Sequence, residues 1–353
     1  MSRTYGFGIV GCGVIAPFHA RALAELPNAR LVAVADAVPE RAEDLASQFG
    51  TEHLEIDALL ASPEVDIVCV CVPSGQHAAI GVRAAAAGKH VVTEKPIEVT
   101  LESADRLIAA CRDNGVVLSV ISQHRWDPGV LALKDLVASG RLGRLLLGDA
   151  IVKWYRTQEY YDSGSWRGTR SLDGGGALMN QGVHYVDLLQ WVMGPVESVF
   201  ARTGTLGHER IEVEDVAAAV LQFVSGALGV LECSTAVYPG FSERLEVTGT
   251  GGTAIVEAGE MTVRELKEEK GETSAYGGQA IAGRAASNPA AISYYGHREQ
   301  LRDVLNAMEH GRPPAIGGEE ARKPLEIILA VYESARRGEV TTLPLRVAPA
   351  PHL

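Results

Sequence analysis

Hydrophobic and polar positions follow two different rhythms along the chain, and the change falls near residue 122. Before it, short continuous apolar runs alternate with helical patterns. Gly6-Phe7-Gly8-Ile9-Val10, Leu31-Val32-Ala33-Val34-Ala35 and Asp66-Ile67-Val68-Cys69-Val70-Cys71-Val72 are such runs. A strand without polar alternation is buried on both faces, as in a parallel sheet covered by helices. Helical patterns begin near Val14, cross Pro39 to Phe49, fill 78–87 up to Gly88, and run from about Thr100 to Asn114. His90-Val91-Val92-Thr93 and Val116 to Val120 supply two further strands. The pattern predicts a doubly wound α/β domain over residues 1–122.

After Gln123 the strands lengthen and alternate apolar with polar residues. They are expected near 145–154, 211–223, 227–237 and 243–256, with helices from Pro128 to Ser139, over 176–193, and at 297–310 and 319–337. Such alternation predicts a large, mostly antiparallel open sheet with one exposed or subunit-facing side. Residues 123–353 therefore read as an α+β domain, and a homodimer or homotetramer through its sheet is expected. The stretch 268–293 reads as a surface loop, and the end of the chain through Pro344, Pro349 and Pro351 as a loose tail.

Composition narrows the classes of partner. The chain carries 44 acidic and 32 basic residues, a formal net charge of -12, and no basic run. That balance works against nucleic acid, whose phosphates need clustered Lys and Arg. No stretch approaches the length of a membrane span and no secretory pattern opens the chain, so the reading is a cytoplasmic protein. The five cysteines, Cys12, Cys69, Cys71, Cys111 and Cys233, are odd in number and lie in apolar segments. They read as reduced, buried thiols, and no His/Cys/Asp set has metal spacing.

The sharpest local signal is Gly11-Cys12-Gly13-Val14-Ile15-Ala16, directly after the first strand. Gly11 permits a tight strand-to-helix turn, and Gly13 lets a pyrophosphate reach the amides at the helix start. Strand, motif, helix and second strand follow in the order of a Rossmann dinucleotide site. Asp36 stands 23 residues after Gly13, where a carboxylate accepts hydrogen bonds from a ribose and repels a 2′-phosphate. NAD is therefore expected rather than NADP, although Arg41 lies near. Asp36 reads alternatively as a helix N-cap, since Pro39 and Glu40 follow.

With these marks the chain resembles the glucose–fructose oxidoreductase / inositol dehydrogenase / MocA family over nearly its whole length. The residues that carry the likeness are the glycine motif with His19, Pro73-Ser74-Gly75-Gln76-His77, and Glu94-Lys95-Pro96. Gly174-Gly175-Gly176 through His184, and His297 with Gln300 and Asp303, complete them. The resemblance implies an NAD-dependent oxidoreductase acting on a sugar, cyclitol or nucleotide sugar. It implies cofactor contacts from Gly11, Gly13, Val14, Ile15, Asp36, Pro73, Ser74, His77, Glu94 and Lys95. Lys95 would approach both nicotinamide and substrate, aimed by a cis bond to Pro96, with Glu94 orienting it or serving structure. Taken alone, Lys95 reads equally as a surface lysine.

The same resemblance makes His184 the proton acceptor. Asn180 stands where the family pattern has an acid; an amide hydrogen-bonds a substrate but takes no proton. The two lie four apart and share one face of a helix, with Asp187 orienting His184 or capping polar surface. Asp173 through Gly182, with Trp166-Arg167-Gly168-Thr169 and Tyr160-Tyr161-Asp162, looks like the branch holding UDP-N-acetylglucosaminuronate 3-dehydrogenases. That likeness favours a pyranoside C3-type oxidation. Arg156, Tyr160, Trp166 and Arg167 are candidate substrate contacts, because aromatic faces stack on pyranoses and arginines clamp anions, and Arg125, at the end of the nucleotide domain, reads as a contact to substrate or nicotinamide. Residues 154–170 read alternatively as a subunit contact. Two other functions fit the pattern: an NADP-linked ketosugar reductase in deoxysugar synthesis, and a non-catalytic nucleotide-sensing protein.

Overall fold

The computed structural model describes residues 3–270 and 294–345. Most of the expected loop 268–293, and the tail through Pro349 and Pro351, lie outside them. The chain begins β1 Tyr5–Val10, α1 Ala16–Ala24, β2 Ala29–Ala35, α2 Pro39–Phe49, β3 Glu52–His53 and α3 Ile56–Ala61. There follow β4 Ile67–Val70, α4 His77–Ala86, β5 His90–Thr93, α5 Leu101–Asp113, β6 Leu118–Val120 and α6 Pro128–Ala138. Next come β7 Leu145–Lys153, α7 Gln158–Asp162, a π-helical turn Ala177–Gly182, and α8 Val183–Met193. The strands β8 Val196–Gly204, β9 Val216–Phe223, β10 Leu228–Ser234, β11 Arg244–Gly249, β12 Gly252–Glu257 and β13 Glu260–Leu266 precede α9 Lys267–Lys270. Last are α10 Tyr295–His310, α11 Gly318–Arg337 and β14 Thr341–Thr342.

Two units result. The first takes the chain up to Gln123, adds Arg170–Gly174, and takes the stretch that ends at Leu325. Its six strands run in the order β3-β2-β1-β4-β5-β6, all parallel. Every residue of β1 is buried, as the unbroken apolar run predicts. Phe7, Ile9, Ile67 and Val92 from the strands meet Leu23 of α1 and Leu301, Val304 and Leu305 of α10 in one core. The far end of the sequence thus completes a layer over a sheet whose strands all lie before residue 121. The sheet order reverses between β1 and β4, so the turns after β1, β2 and β4 gather at one sheet end, where ligands bind in this architecture. Cys69 and Cys71 share the buried face, and burial pushes the Cys71 thiol up to about 11.

The second unit takes His124–Thr169, the described residues after Gly174 up to α9, and the chain from Glu326. Its eight strands follow the order β13-β12-β11-β7-β10-β9-β8-β14. All pairs are antiparallel except β7 with β10, which is parallel. The expected strand at 243–256 is two strands, because Gly249-Thr250-Gly251-Gly252 lets the chain reverse. The expected strand at 211–223 begins only at Val216, and β8 and β13 add to the expected set. α8 covers the inner face. At Gly148 of β7 a side chain would meet the Met193 sulfur at 2.8 Å, so glycine lets the helix lie close. In β9, Ala217, Ala219, Leu221 and Phe223 point inward while Val220 stands outward with Phe200 and Leu228. Among the described residues no helix is long and apolar enough to cross a membrane.

Candidate functional site

In the first unit the β1–α1 turn is shaped by its glycines. Gly11 has φ +97°, and a Cβ there would lie 2.6 Å from the Cys71 carbonyl carbon. At Gly13 a Cβ would meet nothing within 4 Å, Val14 is 79% exposed, and no side chain caps α1 after Ile15. An open turn in front of an uncapped helix suits a pyrophosphate. Asp36 ties this turn to the end of β2: Cys12 N donates to its Oδ2 at 2.7 Å and Val38 N to its Oδ1 at 2.8 Å. The residue at the cap of α2 is Val38, so Asp36 is not that cap. Its carboxylate oxygens keep lone pairs for ribose hydroxyls. The residues present therefore fit a dinucleotide with an unphosphorylated ribose.

The turn after β4 runs through Pro73 to buried Ser74 and enters α4 at His77. The His77 ring lies between two carbonyls, Nδ1 at 2.8 Å from Pro96 O and Nε2 at 3.0 Å from Val72 O. Burial lowers its pKa. What His77 supplies is the spacing of those two segments. The Lys95–Pro96 peptide is cis.

Beside Lys95, the Glu94 carboxylate is buried between two imidazoles. Its Oε1 accepts from His19 Nε2 at 2.7 Å and from His297 Nε2 at 3.3 Å. Burial disfavours the charged carboxylate, yet the hydrogen bonds from His19 and His297 hold Glu94 well below the usual range. Burial likewise opposes a charged His19. The neighbouring Cys71 and Cys69 thiols and the Glu94 carboxylate together lift His19 well above the ordinary histidine value. The three groups converge as metal ligands can. The 2.7 Å separation, however, is that of a hydrogen-bonded pair; two ligands of one zinc stand roughly 3.3 Å apart when each bond is about 2.05 Å.

In the second unit the glycine run has a packing cause. A Cβ at Gly175 would lie 2.2 Å from the Tyr332 hydroxyl, and one at Gly176 would lie 1.7 Å from the Glu214 carbonyl oxygen. Glu214, which belongs to no motif in the sequence, closes the start of the helix. Its carboxylate accepts from Gly176 N at 2.9 Å, Leu178 N at 2.8 Å and the Tyr332 hydroxyl at 3.0 Å. Burial raises its pKa against the hydrogen bonds that stabilise the charge. Asn180 lies inside the π turn rather than in regular α-helix, so the four-residue spacing to His184 is not that of one α-helical face. Asn180 is half-buried, and its Oδ1 accepts from Gln181 Nε2 at 3.3 Å. His184 is 8% exposed and meets the ring of His124 edge-on at 4.8 Å. His124 is itself held by Asp127 at 2.7 Å.

Asp187 is buried, which removes the surface reading for it. It takes Arg125 Nε at 2.7 Å and Nη2 at 2.5 Å, and the guanidinium also lies 4.9 Å from the Trp191 ring. Arg125, expected at substrate, is thus engaged in a buried ion pair. The loop after β7 stacks cations on rings: Arg167 lies 4.3 Å from Tyr160 and 4.6 Å from Trp166, and Arg156 lies 5.1 Å from Trp154 and 5.4 Å from Tyr160. Among the described residues neither guanidinium pairs with a carboxylate. Gln181 Nε2 joins this ladder to the helix by donating to the Tyr160 hydroxyl at 3.2 Å.

Residues 5–122 match the oxidoreductase family model with an NAD-binding Rossmann fold, and residues 130–255 match the GFO/IDH/MocA C-terminal domain. The chain is 28% identical to the myo-inositol 2-dehydrogenase of Thermotoga maritima over 341 residues, 93% of this chain and 95% of that protein. It is 31% identical to the inositol 2-dehydrogenase of Rhizobium meliloti over 72% of this chain and 76% of that one. Among solved structures it is similar to the WlbA dehydrogenase from Bordetella pertussis in complex with NADH and UDP-GlcNAcA. That likeness has a TM-score of 0.85 and 34% identity, and covers 97% of this chain and 100% of that one.

The buried His19–Glu94–His297 bridge generates a prediction for stability. The Glu94 contribution is complete above pH 4.5, its ordinary value, and is lost as pH falls through the lowered one. The His19 contribution is complete below pH 6.5 and is lost as pH rises through its raised value. Glu94→Gln is expected to cost roughly 3–5 kcal/mol, with the largest loss between those two pH values. Urea unfolding across pH measures it; a deficit that grows toward acid would contradict the assignment.

Proposed function

This chain belongs to the glucose–fructose oxidoreductase / inositol dehydrogenase / MocA (Gfo/Idh/MocA) oxidoreductase family, and from that premise we propose that it oxidises a secondary alcohol of a nucleotide sugar, at a pyranoside C3-type position. The family's enzymes act on sugars and cyclitols with NAD. The observation that carries the nucleotide-sugar choice is the ladder of Arg156 and Arg167 on Trp154, Tyr160 and Trp166. Two guanidinium groups without acidic partners among the described residues suit phosphates or a carboxylate, which a neutral cyclitol lacks. Rings between them suit the faces of a sugar or base.

A nicotinamide dinucleotide held by Gly11, Gly13 and Asp36 would supply the hydride acceptor for the carbinol carbon. The chain's own task is the hydroxyl proton. Lys95 holds the alcohol oxygen through its ammonium, and His184 takes the proton. Asn180 hydrogen-bonds the substrate; because an amide stays neutral, the proton rests with His184 alone. What supports His184 is its position on a helix whose start is fixed by Glu214, with an oriented imidazole, His124, against its ring. The outward face of the eight-stranded sheet, with Phe200, Val220 and Leu228 exposed, is the contact with a second copy of the chain in a homodimer or homotetramer.

The reading is tested by following NADH absorbance with NAD⁺ or NADP⁺ against UDP-N-acetylglucosaminuronate, free sugars and myo-inositol. Turnover of the UDP-hexuronate with NAD⁺ is expected; cofactor binding without turnover of any sugar would favour a sensor, and a preference for NADP⁺ the ketosugar reductase. Lys95→Ala and His184→Ala are each expected to slow turnover about 10²–10⁴-fold; either variant within tenfold of the parent overturns its role. Arg167→Ala is expected to raise KM for the UDP-hexuronate by about tenfold or more, from loss of one charge-assisted contact. An unchanged KM would detach the ladder from substrate. Val220→Glu is expected to lower the sedimenting mass of the assembly, and an unaltered oligomer would exclude that face.

A further inference from the structure

We propose that the consecutive acids Glu214 and Asp215 are positioning residues that divide two tasks: Glu214 sets the helix bearing Asn180 and His184, and Asp215 sets the loop bearing Arg156 and Tyr160. The inference rests on the roles proposed above for those side chains. The two acids immediately precede β9, and their carboxylates turn to different segments, that of Glu214 to Gly176 and Leu178 and that of Asp215 to Leu206, Gly207 and His208. One residue pair can therefore reach two segments that do not touch the same carboxylate.

The Glu214 arm receives three successive amides. Gly176 N and Leu178 N donate to the carboxylate, and Ala177 N donates to the Glu214 backbone carbonyl at 2.9 Å. A helix normally finds such acceptors in its own cap residue. Here Gly176 offers no side chain, and a residue 38 positions later supplies the cap. The Cys233 thiol, 3.0 Å from the Ala177 carbonyl, adds a contact to the same turn.

The Asp215 arm is built the same way on the other side. Its carboxylate accepts Leu206 N at 2.7 Å, Gly207 N at 2.7 Å, His208 N at 2.8 Å and His208 Nδ1 at 2.9 Å. His208 then reaches the Arg156 carbonyl, 2.8 Å from its Nε2, and its ring meets Tyr161 at 4.7 Å. Gln158 seals the junction by exchanging two hydrogen bonds with the Glu209 backbone. The Asp215 carboxylate thus reaches Arg156 through one imidazole, alongside a backbone path in which Thr235 N donates to the Asp215 carbonyl at 3.0 Å and Arg156 N to the Thr235 carbonyl at 2.7 Å, and none of these contacts involves Glu214.

Two isosteric variants separate this division from a general loss of structure. Glu214→Gln is expected to speed amide hydrogen exchange in peptides covering 176–182 and to leave 206–210 unchanged; Asp215→Asn is expected to do the reverse. With NAD⁺ and UDP-N-acetylglucosaminuronate as the probe, Glu214→Gln should lower kcat about tenfold or more with KM within about twofold, since a small misplacement of a proton acceptor acts on the chemical step. Asp215→Asn should raise KM about tenfold with kcat within about threefold, the mark of lost substrate binding. Should either variant fail to fold, Tyr332→Phe and His208→Gln weaken the same arms from the donor side, with the same split at smaller size. Exchange loosening in both segments from either acid, or parallel changes in kcat and KM, would overturn the proposal. If the UDP-hexuronate is not turned over, the functional reading fails, and the exchange pattern alone decides the division.

Discussion

A carboxylate removed from water must recover its hydrogen bonds from the protein or surrender its charge. Four such groups, all buried, organise the candidate segments within their own units: Glu94 in the first, and Asp187, Glu214 and Asp215 in the second. Each is satisfied by donors from another part of the chain. Glu94 takes two imidazoles, Asp187 a guanidinium, Glu214 backbone amides and a phenol, and Asp215 amides and an imidazole. A buried acceptor with several donors has few alternative geometries, because any departure leaves a charge unpaired. The segments carrying Lys95, His184 and Arg156 are each adjacent to one of these fixed points.

This division of labour accounts for why several residues proposed to meet ligand are less enclosed, although His184 itself is buried. Asn180, Arg156, Tyr160 and Arg167 are half-buried, and Val14 is largely exposed. Rigidity comes from the neighbours, which spend their polar groups internally. Groups presented to a ligand can then keep acceptors or cations in reserve while their supports limit their motion.

Legibility in the sequence followed the range of the interaction. Unbroken apolar runs disclosed the parallel strands, and the Gly11–Ala16 turn could be placed because strand, turn and helix are neighbours in the chain. The division of 243–256 into two strands escapes the apolar pattern because a two-residue reversal hardly disturbs the alternation on either side of it. Likewise the π turn looks like helix in sequence, since its apolar spacing differs little over six residues. Glu214 left no periodic trace. Its partners are glycine and leucine amides, whose side chains say nothing about who caps them, and an acid pair ahead of a strand reads as ordinary polar flanking. Arg125 and Asp187, 62 positions apart, look like independent charges until the fold joins them.

The pairing of Glu94 with His297 also bears on how the chain acquires its shape during synthesis. All six strands of the parallel sheet have emerged by residue 120, but the second imidazole follows its carboxylate by 203 positions. A nascent Rossmann layer would therefore wait, partly uncovered along the surface that Leu301, Val304 and Leu305 later occupy. The long-range closure makes the emergence of α10, rather than completion of the sheet, the moment at which the nucleotide half reaches full cooperativity.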